Sequence, residues 1–117
     1  MGVLQGFAKI FFCFLCFVFY MQTAHAANID QQALTLAKQN ACLGCHALNK
    51  KIVGPSFESV ASKYKNDPNA QTFLKNKILK GGTGSWGVVP MPANAKLSDA
   101  DLSLLASWIL RGAPSAN

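Results

Sequence analysis

Residues 41–47 read Ala41-Cys42-Leu43-Gly44-Cys45-His46-Ala47. Two cysteines lie three positions apart, and a histidine stands directly behind the second. Three chemistries use so close a pair: a zinc site, a redox disulfide, and covalent attachment of haem. The rest of the chain discriminates among them.

The chain has 117 residues, enough for one small domain. Met1 to Ala26 is expected to be a secretory signal peptide and residues 27–117 the domain. A short n-region ends near Lys9, an apolar run covers Ile10 to Tyr20, and a polar stretch closes in Ala24-His25-Ala26. Small residues three before and one before a cut are what signal peptidase accepts, so cleavage is expected after Ala26. The apolar run is shorter than the roughly 20 residues that span a bilayer, although an uncleaved anchor is the alternative. Export implies an oxidising compartment.

Subtracting the leader simplifies the inventory. Cys13 and Cys16 go, leaving Cys42 and Cys45; His25 goes, leaving His46; Met1 and Met21 go, leaving Met91. Only Lys9 is lost among the charged residues, so the formal net charge falls from +6 to +5. So short a domain offers a thin hydrophobic core, which a bulky apolar cofactor would supplement.

The pattern of the remaining chain is all-α, with about four short helices. Asn28 and Gln31 mark a helix start, and Ile29, Ala33, Leu36 and Ala37 follow at helical spacing to about Asn40. Val53-Gly54-Pro55-Ser56 is a turn ending in a candidate N-cap, and Phe57 to Lys65 a short helix. Pro68 fits the start of the next helix, about Asn69 to Lys80, which Gly81-Gly82 ends. Ser98 and Asp101 form a capping box, with Leu97 and Leu102 as its hydrophobic staple. Leu102, Leu105 and Trp108 or Ile109 make the inner face of that last helix, and Gly112 with Pro114 marks its exit. Between the last two helices, Gly81 to Lys96 has four glycines and two prolines and no periodicity. Its apolar Trp86, Val88, Val89 and Met91 argue that this long loop is packed against something rather than disordered.

This pattern separates the three chemistries. Zinc needs four ligands, and only two cysteines and one histidine remain, with Cys45 and His46 adjacent. A thiol–disulfide site usually sits in a βαβ setting, and no segment here reads as a strand. Haem attachment explains the order: each cysteine forms a thioether to a vinyl group and His46 binds the iron. Cys42, Cys45 and His46 fall at i, i+3 and i+4, on one side of a helical turn. By elimination the sixth ligand is Met91. Pro90 and Pro92 flank it, and Pro92 biases Met91 toward extended backbone, which stiffens the segment carrying the sulfur. His/Met ligation favours a high reduction potential.

Taken together, Ala41–Ala47, Val53-Gly-Pro-Ser-Phe57, Trp86-Gly-Val-Val-Pro-Met-Pro-Ala-Asn94 and the last helix with Trp108 resemble the small class I bacterial cytochromes c of the periplasmic c-551 type. The resemblance covers essentially all of residues 27–117. It implies the class I fold, four short helices around one covalently bound haem c with its iron, and a Gly/Pro-rich loop carrying the sixth ligand. It further implies that the Pro55 carbonyl accepts a hydrogen bond from the His46 ring, that Trp86 bonds a haem propionate, and that Asn94 touches the Met91 sulfur. Lys77 aligns with a basic residue that neutralises a propionate; many relatives carry arginine there, and lysine lacks its planar fork. Trp108 is expected to pack the helices rather than relay electrons.

The function implied is that of a soluble periplasmic one-electron carrier between respiratory-chain partners, for example a terminal oxidase or nitrite reductase, and not an enzyme. Its contacts should be small and transient. Lys50, Lys51, Lys63, Lys75, Lys77 and Lys80 are candidates for a basic face that meets acidic partner surfaces. Nucleic acid is not an expected partner, nor is stable membrane insertion once the leader is removed. The rival readings are a haem-based sensor or peroxidase-like enzyme, and a periplasmic thiol–disulfide oxidoreductase using Cys42 and Cys45.

Overall fold

A computed structural model describes residues 25–115. The expected leader therefore lies outside the described residues, apart from His25 and Ala26. Those two belong to the first helix, α1, which covers residues 25–39 of the described chain. Asn28 does not start this helix. His25-Ala26-Ala27 contains no breaker, alanine is the strongest helix former, and residues 25–27 are helical in the described chain. The Asn28 side chain instead accepts a bond from Gln32 Nε2 at 2.6 Å, one turn ahead. Ala33 and Ala37 are fully buried, and Leu34 and Leu36 pack partly buried beside them, so α1 meets the core through this face.

The chain leaves α1 through Ala41, in left-handed backbone (φ 57°, ψ 18°), and enters a 3-10 turn over Cys42–Gly44. The His46 amide donates to the Cys42 carbonyl at 3.0 Å, which puts the two cysteines and the histidine on consecutive turns of one coil. Helix α2 (Phe57–Tyr64) begins at Ser56, whose buried hydroxyl accepts from the Ser59 amide at 3.0 Å. Helix α3 (Ala70–Lys80) starts two residues after Pro68. Pro68 lies in the preceding turn, closed by the Ala70 amide on the Asp67 carbonyl at 3.1 Å.

Helix α4 (Asp99–Leu110) carries the expected capping box: the Ser98 hydroxyl accepts from the Asp101 amide at 3.1 Å, and the Asp101 carboxylate accepts from the Ser98 amide. It packs against both α2 and α3. Trp108 and Leu105 are its deepest side chains, and burying such groups stabilises the fold by roughly 2–3 kcal/mol each. Trp108 meets Phe57 of α2 edge-on at 5.4 Å, and its indole N–H donates to the Pro114 carbonyl at 3.0 Å. Trp108 thus packs α4 against α2 and against the chain that follows α4. Gln71 of α3 reaches across to α4, donating to the Ser103 carbonyl at 3.0 Å and the Ser107 hydroxyl at 3.1 Å. Arg111 pairs with Asp30, tying the end of α4 to α1.

The described residues form no strand, only an isolated antiparallel bridge between Gly82 and Met91. The class is all-α with four helices, as the sequence leads one to expect. No helix among the described residues is long and apolar enough to cross a membrane.

Candidate functional site

His46 is fixed on three sides. Its Nδ1 lies 2.7 Å from the Pro55 carbonyl oxygen. A carbonyl only accepts, so Nδ1 carries the proton, and in the neutral ring the lone pair is left on Nε2. Phe57 stacks on the imidazole with ring centroids 5.2 Å apart. Gly54 covers the ring so closely that a Cβ there would lie 2.6 Å from Cε1 and 2.8 Å from Nδ1. The Gly54 amide in turn donates to the Cys45 carbonyl at 2.7 Å, so the turn is tied back to the cysteine coil.

Cys42 and Cys45 are half-buried and not joined to each other. Burial pushes the Cys42 thiol above its ordinary range, with a smaller opposing pull from a backbone hydrogen bond. Disulfide-exchanging cysteines require the reverse, a stabilised thiolate, which counts against the oxidoreductase reading. Zinc fares no better, because no group of three His, Cys, Asp or Glu side chains among the described residues is placed to hold an ion.

Met91 is held through its backbone. Its amide donates to the Gly82 carbonyl at 3.0 Å, and its carbonyl accepts from the Gly82 amide at 2.9 Å. This bridge pins the residue to the end of α3. Gly81 makes room for it: φ is 67°, and a Cβ there would meet the Met91 carbonyl at 2.3 Å. The Asn94 amide N–H of the main chain donates to the Ile78 carbonyl at 3.0 Å, fixing the chain after Met91 as well. The Asn94 side chain points its amide at the same carbonyl, at 3.4 Å, so that is its partner in this structure.

These two segments meet across one crevice of about 470 Å³. Cys42, Cys45, His46, Pro55, Met91 and Asn94 all line it, and so do Trp86 and Lys77. Its remaining lining is largely apolar, from Val60, Leu74, Ile78, Leu105 and Ile109. The expectation that the loop's apolar residues are buried holds only for Met91, which is partly covered. Trp86 is 43% exposed, Val89 61% and Val88 89%. Trp86 and Val89 nevertheless line the crevice, whereas Val88 does not.

The candidate basic residues divide. Lys75 is bound to Asp99 at 2.6 Å. Lys77 sits at the crevice, with Nζ 6.0 Å from the Phe73 ring centroid. Lys51 lines the crevice, whereas Lys50 and Lys80 are exposed elsewhere on the surface. Lys63 lies over Trp86, 4.3 Å from its ring centroid, and donates to the Ser85 carbonyl at 2.6 Å. Two residues escaped the reading of the sequence as parts of the site: Gly54, whose only signal is its place before Pro55, and Lys63, which nothing local marks.

The donor set suits haem c. The group needs an apolar slot, two thiols in register with its vinyl carbons, and nitrogen or sulfur lone pairs for iron. The crevice supplies unpaired thiols on one coil, an imidazole with its Nε2 lone pair available, and a thioether on a backbone-fixed loop. Residues 31–113 match the family described as Cytochrome c. Cytochrome c-552 of Nitrosomonas europaea is 45% identical over 84 residues, which is 72% of this chain and 82% of that protein. Cytochrome c-551 of Allochromatium vinosum is 47% identical over 90 residues, 77% of this chain and 93% of that one. The crystal structure of the Nitrosomonas europaea protein superimposes with a TM-score of 0.65 at 46% identity, covering 68% of this chain and 98% of its own. Class 1 cytochrome MtoD of Sideroxydans lithotrophicus gives a TM-score of 0.62 at 30% identity, over 70% of this chain and 94% of its own. A crevice furnished for haem, a fold shared with solved cytochromes and a family match across the whole of it converge: the chain belongs to the cytochrome c family, as a small class I member that binds haem c covalently and carries electrons.

Proposed function

We propose that the protein is a soluble periplasmic carrier that passes single electrons between respiratory-chain proteins, with Cys42 and Cys45 as the haem thioethers and His46 and Met91 as the axial ligands. When bound, haem c supplies a one-electron ferric/ferrous couple. The observation that carries the reading is that His46 and Met91, on two separate segments, are each fixed by main-chain hydrogen bonds and line the same crevice.

The chain's own residues then do three things. Pro55 orients the imidazole and raises its basicity by accepting the Nδ1 proton. The Gly82 bridge holds the thioether segment in place without cost at the moment of transfer. The apolar lining excludes water, which keeps solvent from having to reorganise. With two protein ligands assigned, no position is left for a substrate, which favours a carrier over a sensor or a peroxidase-like enzyme. Trp86 and Lys77, both at the crevice, are the groups placed to meet a propionate. The apolar leader with its Ala-x-Ala end supports export. The excess of lysine supports docking to acidic surfaces, such as those of a terminal oxidase or nitrite reductase.

Absorption of the purified protein and of Met91→Ala tests the assignment. The wild type should show a weak long-red iron–sulfur band in the ferric state, and the variant should lose it while keeping haem through denaturation. A variant with the band intact would overturn the role of Met91.

A further inference from the structure

The strap from Thr83 to Val89 carries Trp86 and lines the crevice at every position but Val88. Its base is fixed by the Gly82–Met91 bridge, and its tip closes on itself through the Gly84 amide on the Gly87 carbonyl at 2.8 Å. Between base and tip, the side chain that reaches it from another element is that of Lys63, in the last turn of α2. The ammonium group donates to the Ser85 carbonyl at 2.6 Å and lies 4.3 Å above the centre of the Trp86 ring. A single cation thus engages the backbone before Trp86 and the face of its indole together.

We propose that Lys63 is a positioning residue that latches this strap across the crevice and sets the orientation of Trp86. The chemistry requires a cation with hydrogen-bond donors: the Ser85 carbonyl needs a donor, and the negative face of the indole needs a positive charge. Helix α2 makes the latch rigid. Its first residue, Phe57, stacks on His46, and its last turn carries Lys63, so one short capped helix braces both the imidazole and the strap. The inference does not depend on which partner or compartment the carrier serves; its test rests on the proposed ligation by His46 and Met91, which would make the ferrous iron low-spin.

The test uses the ferrous holoprotein, which is diamagnetic, and its proton–nitrogen NMR spectrum. Lys63→Met keeps most of the side chain's length and removes the charge and donors; Lys63→Arg keeps both. Losing one hydrogen bond and one cation–π contact should raise strap opening about tenfold. The Gly84 amide should then exchange about tenfold faster in Lys63→Met, the Trp86 indole resonance should move, and Lys63→Arg should restore both. The Trp108 indole, bonded to the Pro114 carbonyl in the core, should keep its exchange rate and position. The proposal is overturned if Gly84 exchange in Lys63→Met stays within about twofold of wild type. It is equally overturned if Lys63→Arg is as perturbed as Lys63→Met, or if the Trp108 indole accelerates by the same factor, since the effect would then be bulk or global stability.

Discussion

Gly54 shows how much of the site rests on a missing methyl group. Its backbone is not in the left-handed region, so any residue could adopt its conformation. What forbids a side chain is the His46 ring, whose Cε1 would lie 2.6 Å from an added Cβ. In Gly54→Ala the ring must move, and the bond from Nδ1 to the Pro55 carbonyl breaks with it. Overpacking and the loss of a hydrogen bond between part-buried groups together cost about 2–4 kcal/mol. Urea unfolding of the holoprotein should show that loss, and a variant within about 0.5 kcal/mol of wild type would contradict the contact. The sequence made Pro55 visible through the family resemblance, because Pro after Gly in an irregular stretch is a local signal. It could not reveal why Gly54 is needed, since that depends on where a ring eight residues away comes to rest.

At the scale of the element, the stretch from the end of α3 to Met91 behaves as one unit. Gly81 closes α3 with φ 67° and ψ −148°, a combination that non-glycine residues essentially do not occupy. Its amide donates to the Lys77 carbonyl at 2.8 Å, and the next residue forms the bridge to Met91. Gly81→Ala therefore strains the backbone and drives a methyl group into the Met91 carbonyl. We expect a loss of about 3 kcal/mol or more in chemical unfolding, together with weakening of the long-red band. A destabilised variant that kept the full band would show that Met91 is held independently of the bridge. Helix termini of this kind were legible in the sequence: Ser56, Gly81, Ser98 with Asp101, and Gly112 all stand where the chain turns. They are legible because capping is chemistry between residues two to four apart. Asn28 was misleading for the same reason; it has the composition of a cap, but the alanines before it carry the helix past it. Contacts across longer separations left no trace in the pattern. Lys63 meets Ser85 across 22 positions, and the Asn94 side chain turns to Ile78 across 16.

For the whole molecule the decisive quantity is charge that remains unneutralised near the crevice. Residues 27–117 hold ten Lys and Arg against five acidic residues. The acids are largely engaged: Asp30 with Arg111, Asp99 with Lys75, and Asp101 in the α4 cap. Lys51, exposed on the crevice wall, has no ion-pair partner among the described residues, and neither has Lys38, exposed on α1 away from the crevice. Reversing either charge lowers the net charge equally, so the pair separates local steering from overall charge. Ferricyanide, a compact anion, is a suitable oxidant of the ferrous protein. At about 10 mM ionic strength, where the screening length is roughly 30 Å, Lys51→Glu should slow the bimolecular rate about threefold or more and Lys38→Glu appreciably less. Near 0.15 M, with a screening length of about 8 Å, the wild type should be slower than at low salt and the three proteins should converge. Equal slowing by both variants at low salt would mean that net charge alone steers the anion, and the crevice wall would lose its claim to be the docking face.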